Sequence, residues 1–582
     1  MTYVHNRPED FVPEALRGLV KAHPGRLRQV PGGIARADGT RPGKVAVVVG
    51  GGSGHYPAFA GLVGDGLADA AVCGDIFTSP STRQVLDVCR AADAGAGVFV
   101  TFGNYAGDVL NFGAAASRLR AQGTDVTILL VTDDVASAPP DRAHERRGVA
   151  GDLVVFKLAG AAAEEGADLA EVNRLAAHGN DRTRSFGVAF DGCTLPGHDH
   201  PLFGLEPGTA GWGLGIHGEP GVGEEALPTA AELAAELVDR VLAERPADAD
   251  GRAAVLLNGL GNVKYEELFV LWDSVHDLLV ARGVTIVAPL VGEYVTSLDM
   301  AGCSLTVTWL DDELERLWLA PADTPGFHHG GWRPAPAPGS LPAEPGTEPE
   351  TGLVPATTPG GIAAAGTVVG ILRRARTALH DAEQMLGDLD AVAADGDHGR
   401  GMCRGVDAAV RAAEVALAAG GDAPSVLRRA ADAWADKGGG TSGALWGVGL
   451  LALAAELPAD APVTLGHVVA GVAAARDQVV AVGGARVGDK TLVDALHPAA
   501  EALVAAAAAG AAPADAWRAT VEAAQEGARS TADIAARRGR ARVLGDKSLG
   551  VPDPGATSLA LLLGEAGAEA GIPAPTSPKV EP

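Results

Sequence analysis

LDAVAADGDHGRGMCRG, residues 389–405, crowds three carboxylates, Asp390, Asp395 and Asp397, into eight residues. One glycine lies between the last two aspartates and another follows them, so the backbone can turn tightly enough to aim all three side chains at one point. Grouped carboxylates favour Mg²⁺, and Mg²⁺ held by few protein groups usually completes its shell with phosphate oxygens. The stretch therefore predicts a magnesium site that serves a nucleotide.

Two stretches further along the chain concern phosphate binding. KGGGTSGAL (Lys437–Leu445) places Thr441 and Ser442 just before an apolar helix, where hydroxyls and free N–H groups can receive phosphate oxygens. GGARVGDKTL (Gly483–Leu492) nearly matches a Walker A loop, but an aspartate separates the last glycine from the lysine and no strand precedes the loop. We therefore predict an anion site at the first stretch and reject a P-loop at the second.

Basic and turn-forming residues follow near the C-terminus, in RRGRAR (Arg537–Arg542) and DPG (Asp553–Gly555). An arginine here could stabilise charge on a transferring phosphoryl group. The surrounding sequence repeats apolar residues every three or four positions, which predicts a multi-helix bundle or barrel with few or no strands. The predicted helices include Ile362–Leu386, Ala423–Ala435, Ala444–Leu457, Leu465–Val482, Leu492–Ala509 and Ala514–Thr531.

A proline-rich segment separates this helical region from the first half of the chain. Eight prolines lie between Pro334 and Pro359, and no hydrophobic period survives among them. Such segments favour extended polyproline II, which can span several tens of ångströms between domains. We predict an α/β domain at residues 1–330, a linker at 331–360 and a helical domain at 361–582.

In the first half, β-rich runs alternate with helix-like stretches. The predicted strands include Val45–Val49, Val98–Phe102, Val126–Thr132, Val154–Phe156 and Ala253–Leu257. The first of these runs into GGGSGHYPAFAG (Gly50–Gly61), a loop of the kind that holds phosphates or a dinucleotide. Its glycine spacing fails GxGxxG, because Pro57 occupies the place of the third glycine. A Rossmann domain is therefore disfavoured.

Three polar residues in glycine-rich loops of this half are the candidates for a site: His55, Asp108 and His217. Any one of them alone could serve only a turn or the backbone. His198 and His200, in LPGHDHP, could suggest a metal, but two histidines in a Pro/Gly loop are more often simply exposed.

Composition narrows the class of protein. A chain of 582 residues is too long for one core and predicts two or three domains. Its formal net charge of −27 repels phosphate backbones and anionic membranes, so neither nucleic acid nor a membrane is an expected partner. Five scattered cysteines without a CxxC indicate neither zinc nor a disulfide framework. No signal sequence or long apolar run is present, and we predict a cytoplasmic protein.

The order of the motifs resembles one protein family. GGGSGH, NYAGD, RRGVAG, CTLPG, GIHGEPG and TSLDM precede the linker, and DGDHG, GGTSG, GDKTL and DPGATS follow it. This order resembles the single-chain, ATP-dependent dihydroxyacetone kinases. The resemblance implies an N-terminal ketose-binding domain of two α/β subdomains and an all-α helical barrel that binds ATP with two Mg²⁺ ions, in a homodimer.

The resemblance also implies roles for individual residues. His217 would hold the ketone as a covalent hemiaminal, His55 and Asp108 would act as acid and base, and Arg540 would assist transfer. Mg²⁺ would be bound by Asp390, Asp395 and Asp397. The loop around the ketose would include Gly52, Ser53 and Gly54. The nucleotide would be surrounded by His398, Gly399, Arg400, Gly401, Thr441, Ser442, Gly483, Leu492, Arg540, Asp553, Pro554 and Gly555.

The chemistry of histidine agrees with the role that the resemblance implies for His217. A neutral imidazole is a competent nucleophile, and a C–N bond to a carbonyl separates ketoses from polyols. The sequence departs from the common family pattern near the ketose. HEPAH is replaced by HYPAF (residues 55–59), the lysine before the NY pair is Gly103, and acidic residues before the GIHGEPG loop are replaced by residues 210–212. The HYPAF form resembles the branch that acts on D- or L-erythrulose.

We therefore predict an ATP-dependent erythrulose kinase, with dihydroxyacetone as the alternative substrate. A non-catalytic ketose sensor and a phosphoenolpyruvate-dependent kinase are further alternatives. Against both stands the fused helical domain with its aspartates.

Overall fold

The computed structural model describes residues 3–332, 353–393, 396–438, 440–537, 548–569 and 572. The chain divides into two compact units, Met1–Leu341 and Pro342–Pro582. The first is an α/β unit and the second is helical, which confirms the predicted fold class. The finer boundaries of domains and linker stay predictions.

The first sheet of the α/β unit carries its Gly-rich loop. Its strands are β1 (Leu27–Val30), β2 (Gly33–Arg36), β3 (Ala46–Ser53), β4 (Ala70–Ile76), β5 (Val98–Gly103) and β6 (Val126–Val131). Their spatial order is β1-β2-β4-β3-β5-β6, and β4, β3, β5 and β6 run parallel. The parallel strands are largely apolar, with Val in each of them, because both faces of such a sheet are covered.

The second sheet is mainly antiparallel. Its strands are β7 (Thr183–Ala189), β8 (Thr209–Trp212), β9 (Gly223–Ala226), β10 (Arg252–Gly259), β11 (Thr285–Ile286), β12 (Leu290–Gly292) and β13 (Gly302–Trp309), and a small hairpin adds β14 (Ala322–Asp323) and β15 (His328–His329). The order β11-β10-β13-β7-β8-β9 places the long buried strands in the centre. The two sheets match the predicted pair of subdomains.

Helices cover these sheets. They are α1 (Phe11–Ala22), α2 (Thr82–Ala92), α3 (Ala106–Ala121), α4 (Gly151–Glu164), α5 (Leu169–Asp181), α6 (Ala230–Leu242), α7 (Tyr265–Ala281) and α8 (Asp312–Leu319). α4 is buried on all sides from Gly151 to Ala163. The prediction of a strand at Val154–Phe156 is therefore wrong, because a helix that is buried all round shows an unbroken apolar run rather than a period of 3.6.

The second unit consists of helices in its described part. They are α9 (Pro359–Asp381), α10 (Glu383–Ala393), α11 (His398–Ala418), α12 (Ala423–Gly438), α13 (Gly440–Glu456), α14 (Leu465–Gly483), α15 (Val493–Ala508), α16 (Pro513–Ser530) and α17 (Pro554–Glu569). The predicted helices are confirmed except for Ile362–Leu386, which is divided between α9 and α10 at Ala382. No Gly or Pro marks this break in the sequence.

The helices enclose an apolar cavity of about 870 Å³, lined by residues such as Ile371, Leu450 and Val468. Within the described residues, one helix, α14, is long and apolar enough to cross a membrane by length and composition alone. Its apolar residues, including Val472 and Val479, line this cavity. The cavity accounts for the hydropathy of α14, so the helix is weak support for a membrane protein.

Candidate functional site

The predicted ketose residues gather where the parallel strands of the first sheet end. His55 follows β3, and Asp108 lies in the first turn of α3, directly after β5. His217 comes from the loop between β8 and β9 of the second sheet. Open α/β sheets bind ligands beyond the carboxyl ends of their strands, because neighbouring loops diverge there. The fold thus brings together three residues that lie far apart in the sequence.

His55 and His217 contact each other directly. Their Nε2 atoms lie 3.1 Å apart, and the ring centroids lie 4.9 Å apart with nearly perpendicular planes. His55 Nδ1 lies 2.7 Å from the carbonyl oxygen of Thr296. On the far side of the pair, His217 Nδ1 lies 2.9 Å from Oε1 of Glu219. A chain of polar contacts therefore crosses the pocket from Thr296 to Glu219.

These contacts define where protons can lie. The Thr296 carbonyl and the Glu219 carboxylate only accept hydrogen bonds, so both Nδ1 atoms must carry hydrogen. The two Nε2 atoms face each other and need one further proton to form a hydrogen bond. Burial, then the neighbouring His217 ring, lowers the pKa of His55 to about 3, so a positive charge confined to the His55 ring is disfavoured. When the proton between the rings leaves, the His217 Nε2 lone pair is free for chemistry.

Aromatic rings hold both imidazoles in place. Phe77 stacks on His55 with centroids 5.1 Å apart and meets His217 edge-on at the same distance. Tyr105 also meets His217 edge-on, at 4.9 Å. Phe77 has a φ of +51°, a conformation that non-glycine residues rarely adopt and that costs on the order of 1–3 kcal/mol. Next to it, Gly54 has a φ of +109°, and a Cβ there would press on the Phe77 ring at 2.8 Å.

Asp108 presents an available acceptor. Its Oδ1 atom is buried and has no hydrogen-bond partner among the described residues. Burial raises the pKa of Asp108, although Ser79 and His217 act in the opposite direction. A buried carboxyl group with a raised pKa and an open acceptor atom can take or return a proton of a bound hydroxyl.

Gly52 and Ser53, the other predicted residues of the Gly-rich loop, stabilise the backbone around the pocket. Gly52 lies against the Phe77–Thr78 backbone, where a Cβ would come within 2.7 Å of the Thr78 nitrogen. The Ser53 hydroxyl donates to the carbonyl of Gly74 at 2.7 Å, so its side chain ties β3 to β4. His198 and His200 are exposed, as predicted for that loop.

Sequence reasoning missed Glu219. It stands two residues after His217 in GIHGEPG, and its Oε2 also accepts the backbone N–H of His217 at 3.0 Å. Although burial would raise its pKa, hydrogen bonds and the charge of His217 lower the pKa of Glu219 to about 2. A carboxylate two residues from a candidate nucleophilic histidine was the available signal.

In the helical unit, the phosphate motifs converge at the starts of helices. His398 Nε2 lies 3.0 Å from the Ser558 hydroxyl, which joins the beginnings of α11 and α17. Gly555 packs against Leu492 at the start of α15. A Cβ at Gly401 would be 3.1 Å from the carbonyl oxygen of Gly438, at the junction of α12 and α13. Helix starts point N–H groups outward and carry partial positive charge, so together they favour an anion.

Other predicted nucleotide residues lie in the same region. Gly399 is buried against Glu383, Arg400 and Thr441 are exposed, and Ser442 is half-buried. Gly483, at the end of α14, packs against the Leu445 side chain of α13. The motifs that the sequence separates by more than 150 residues thus lie on one end of the helical unit.

The carboxylates of the predicted metal site are partly described. Asp390 is buried, and its Oδ2 accepts the N–H of His398 at 3.3 Å. Asp397 is the N-cap residue of α11. Asp395 and Arg540 lie outside the described residues, so their predicted roles stay predictions. The oxygen donors of Asp390 and Asp397, next to several helix starts, suit Mg²⁺ together with a phosphate chain.

Asp553 opens the last helix of the site. Its Oδ2 accepts the N–H of Ala556 at 2.7 Å, and Pro554 and Gly555 begin α17 behind it. Burial raises the pKa of Asp553 to about 7, with Asp494 adding to the effect. This carboxyl group can therefore change its charge near neutral pH.

Lys490 occupies the place of a Walker A lysine, but its ammonium group contacts backbone carbonyl oxygens. Its Nζ donates to the carbonyl oxygens of Thr531, Ser548 and Val551 at 2.8, 2.8 and 2.6 Å. The side chain is buried and anchors the segment that leads to Asp553. These contacts support the rejection of a P-loop.

Comparisons with known proteins agree with this arrangement. A family model described as a Dak1 domain matches residues 17–326, and one described as a DAK2 domain matches residues 392–567. The chain is 54% identical to the D-erythrulose kinase of Mycolicibacterium smegmatis, over 96% of this chain and 97% of that protein. It is 52% identical to the L-erythrulose 1-kinase of the same organism, over 97% and 98%.

A solved structure is similar over almost the same length. The crystal structure of the dihydroxyacetone kinase from C. freundii in complex with AMP-PNP and Mg²⁺ matches with a TM-score of 0.59 and 31% identity. The match covers 98% of this chain and 99% of that one.

Proposed function

This chain belongs to the dihydroxyacetone kinase family, and we propose that it transfers the terminal phosphoryl group of ATP to a hydroxyl of erythrulose. The observation that carries the proposal is the direct contact between His55 and His217 beside the open acceptor of Asp108. The two erythrulose kinases that share more than half of its residues support a four-carbon substrate.

Capture of the ketose begins at His217. The Nε2 lone pair attacks the ketone carbon, a C–N bond forms, and the C=O π electrons move to oxygen, which takes the proton that the histidine pair shared. The product is a hemiaminal whose imidazolium ring faces Glu219. Because only a carbonyl can form this bond, capture separates ketoses from polyols, which hydrogen bonds alone distinguish poorly.

Transfer of the phosphoryl group needs a base for the attacking hydroxyl and positive charge that neutralises the phosphate chain. Asp108 and His55 are the bases in reach of a ketose held on His217. Asp390, Asp395 and Asp397 would hold Mg²⁺, which when bound neutralises phosphate charge. The helix starts around His398 and Gly555 bind the phosphates, and by resemblance Arg540 contributes a further positive charge.

The alternatives differ in what they predict. A ketose sensor would bind erythrulose without consuming ATP. Dihydroxyacetone remains the alternative substrate, since the C. freundii structure carries that name. The cytoplasmic location, predicted from the cysteines and the absence of a signal sequence, and the homodimer, implied by the resemblance, both stay predictions.

The test is a screen of the purified protein with MgATP and three ketoses: D-erythrulose, L-erythrulose and dihydroxyacetone. We expect one erythrulose enantiomer to give the highest kcat/KM, with stoichiometric ADP and sugar phosphate. A higher kcat/KM for dihydroxyacetone would overturn the four-carbon assignment. If the protein consumes no ATP with any of the three ketoses, the kinase proposal itself is overturned.

A further inference from the structure

We infer that Glu219 is the positioning residue that sets the tautomer and ring orientation of His217, an inference that rests on the proposed capture of a ketose by that imidazole. Nothing in the motif pattern assigns a role to this carboxylate. Its two contacts, its charge and the loop that holds it support this role.

Glu219 contacts both the ring and the backbone of His217. Its Oε1 lies 2.9 Å from His217 Nδ1, and its Oε2 accepts the His217 backbone N–H at 3.0 Å. The two contacts fix the ring relative to its own backbone. Since a carboxylate can only accept, the Nδ1 atom is the protonated one, and the Nε2 lone pair is left to face the pocket.

The surroundings keep Glu219 ionised. Arg147 Nη1 lies 4.0 Å from its Oε2, and Arg147 is itself held by Asp134 at 2.7 Å and by the Gly213 carbonyl at 3.1 Å. Among titratable groups, the His217 ring also faces His55 through Nε2 and Tyr105 at its edge. Asp108 is the remaining acid that acts on this ring.

A negative charge at this position also suits the product of capture. When Nε2 forms its bond to carbon, the positive charge stays on the His217 ring alone, and the Glu219 carboxylate lies at the opposite nitrogen. Before capture the proton is shared with His55, so the carboxylate favours the adduct over the bound ketone. The carboxylate therefore helps capture without touching the ketose.

The glycines of the loop make room for this carboxylate. A Cβ at Gly215 would overlap Oε2 of Glu219 and come within 2.6 Å of Arg147 Nη1. Gly218, between the histidine and the glutamate, has a φ of +82°. The G-x-H-G-E spacing is thus explained by a loop that folds the carboxylate back under the imidazole.

The first experiment is ¹⁵N NMR of histidine-labelled full-length protein without substrate, with His217→Asn used to identify the His217 signals. In the wild type we expect a protonated Nδ1. Glu219→Gln should keep that tautomer, because its amide oxygen can still accept. Glu219→Ala should shift the proton toward Nε2. A Glu219→Ala protein that keeps the wild-type tautomer would overturn the inference.

The second experiment separates positioning from a merely structural role. Glu219→Ala should raise KM for the ketose about 10–100-fold, by analogy with the loss seen when the group that orients a metal-binding histidine is removed, while KM for ATP stays unchanged. Glu224→Ala, an exposed glutamate on β9, is the matched control and should behave as wild type.

Gly215→Ala provides an independent check if Glu219→Ala does not fold. It leaves every charged residue in place but pushes the carboxylate away, so it should reproduce the loss of ketose affinity. A ketose KM within twofold of wild type in both variants would overturn the inference. If the wild type itself forms no ketose phosphate, the proposed function fails, while the NMR result still decides the role of Glu219.

Discussion

The Nε2 atoms of His55 and His217 lie 3.1 Å apart, although the two residues lie in loops that follow strands of different sheets. Each ring uses its other nitrogen on a fixed acceptor, Thr296 or Glu219. The pair can therefore hold one proton between its members and release a nucleophilic nitrogen when that proton moves. Several measurable consequences depend on this relationship and on the separate phosphate site.

His217→Ala should lose discrimination as well as rate. Without the imidazole, no C–N bond can form, and only hydrogen bonds remain to choose between a ketose and a polyol. We expect the ratio of kcat/KM for erythrulose to that for erythritol to fall toward one. A variant that loses rate equally for both substrates would instead indicate a histidine that only hydrogen-bonds the sugar.

Asp397→Asn should reduce turnover by roughly 10²–10³-fold, as expected for the loss of a charge that stabilises the transition state, and leave ketose binding intact. The reason is that the predicted metal residues and the ketose residues belong to different units of the chain. Calorimetry with erythrulose and a steady-state assay check the two parts. Asp388→Asn, on the exposed side of α10, is the control. Loss of ketose binding in Asp397→Asn would contradict this division of labour.

The buried His55 should make stability depend on acid. Burial lowers its folded-state pKa from 6.5 to about 3, so between these values the unfolded chain binds a proton that the native one does not. The contribution of His55 to the free energy of unfolding is fully present above pH 6.5. It is lost as the pH falls from 6.5 to about 3, by at most about 1.4 kcal/mol per pH unit.

Urea unfolding of the full chain at several pH values measures this slope. His55→Gln should flatten it, whereas His198→Gln, at an exposed position, should leave it unchanged. An equal slope in wild type and His55→Gln would show that His55 does not titrate as its burial requires.

Lys490→Met tests whether the near-match to a Walker A loop is structural. Removing the ammonium leaves three carbonyl oxygens without their donor and should destabilise the helical unit by about 3 kcal/mol. Denaturant unfolding measures the loss, with exposed Lys437→Met as control. A phosphate-binding lysine would behave differently: ATP binding would weaken while the free energy of unfolding stayed the same.

The sequence predicted the parts of the molecule that carry local signals. The helical domain was predictable because apolar residues recur every three or four positions from Ile362 onward. The strands β3, β5 and β6 were predictable because they are short apolar runs that contain β-branched residues. The run at Val154–Phe156 misled for a physical reason: α4 is buried all round and shows no polar face. The period of the apolar residues does not distinguish such a helix from a buried strand.

The candidate site was predictable in its residues but not in its contacts. His55, Asp108 and His217 could be named from glycine-rich loops and from the resemblance. Their meeting depends on pairing in two sheets, which no local pattern encodes. Glu219 was missed because its role arises only when the loop folds the carboxylate back onto the preceding histidine.

The most direct test of covalent capture is NMR of the complex formed without ATP, with erythrulose labelled with ¹³C at the ketone carbon and protein labelled with ¹⁵N in its histidines. We expect the labelled carbon to become tetrahedral and to show one-bond coupling to a single histidine nitrogen, and we expect this coupling to disappear in His217→Ala. A saturated complex in which the carbon remains a ketone, with no coupling to nitrogen, would contradict covalent capture.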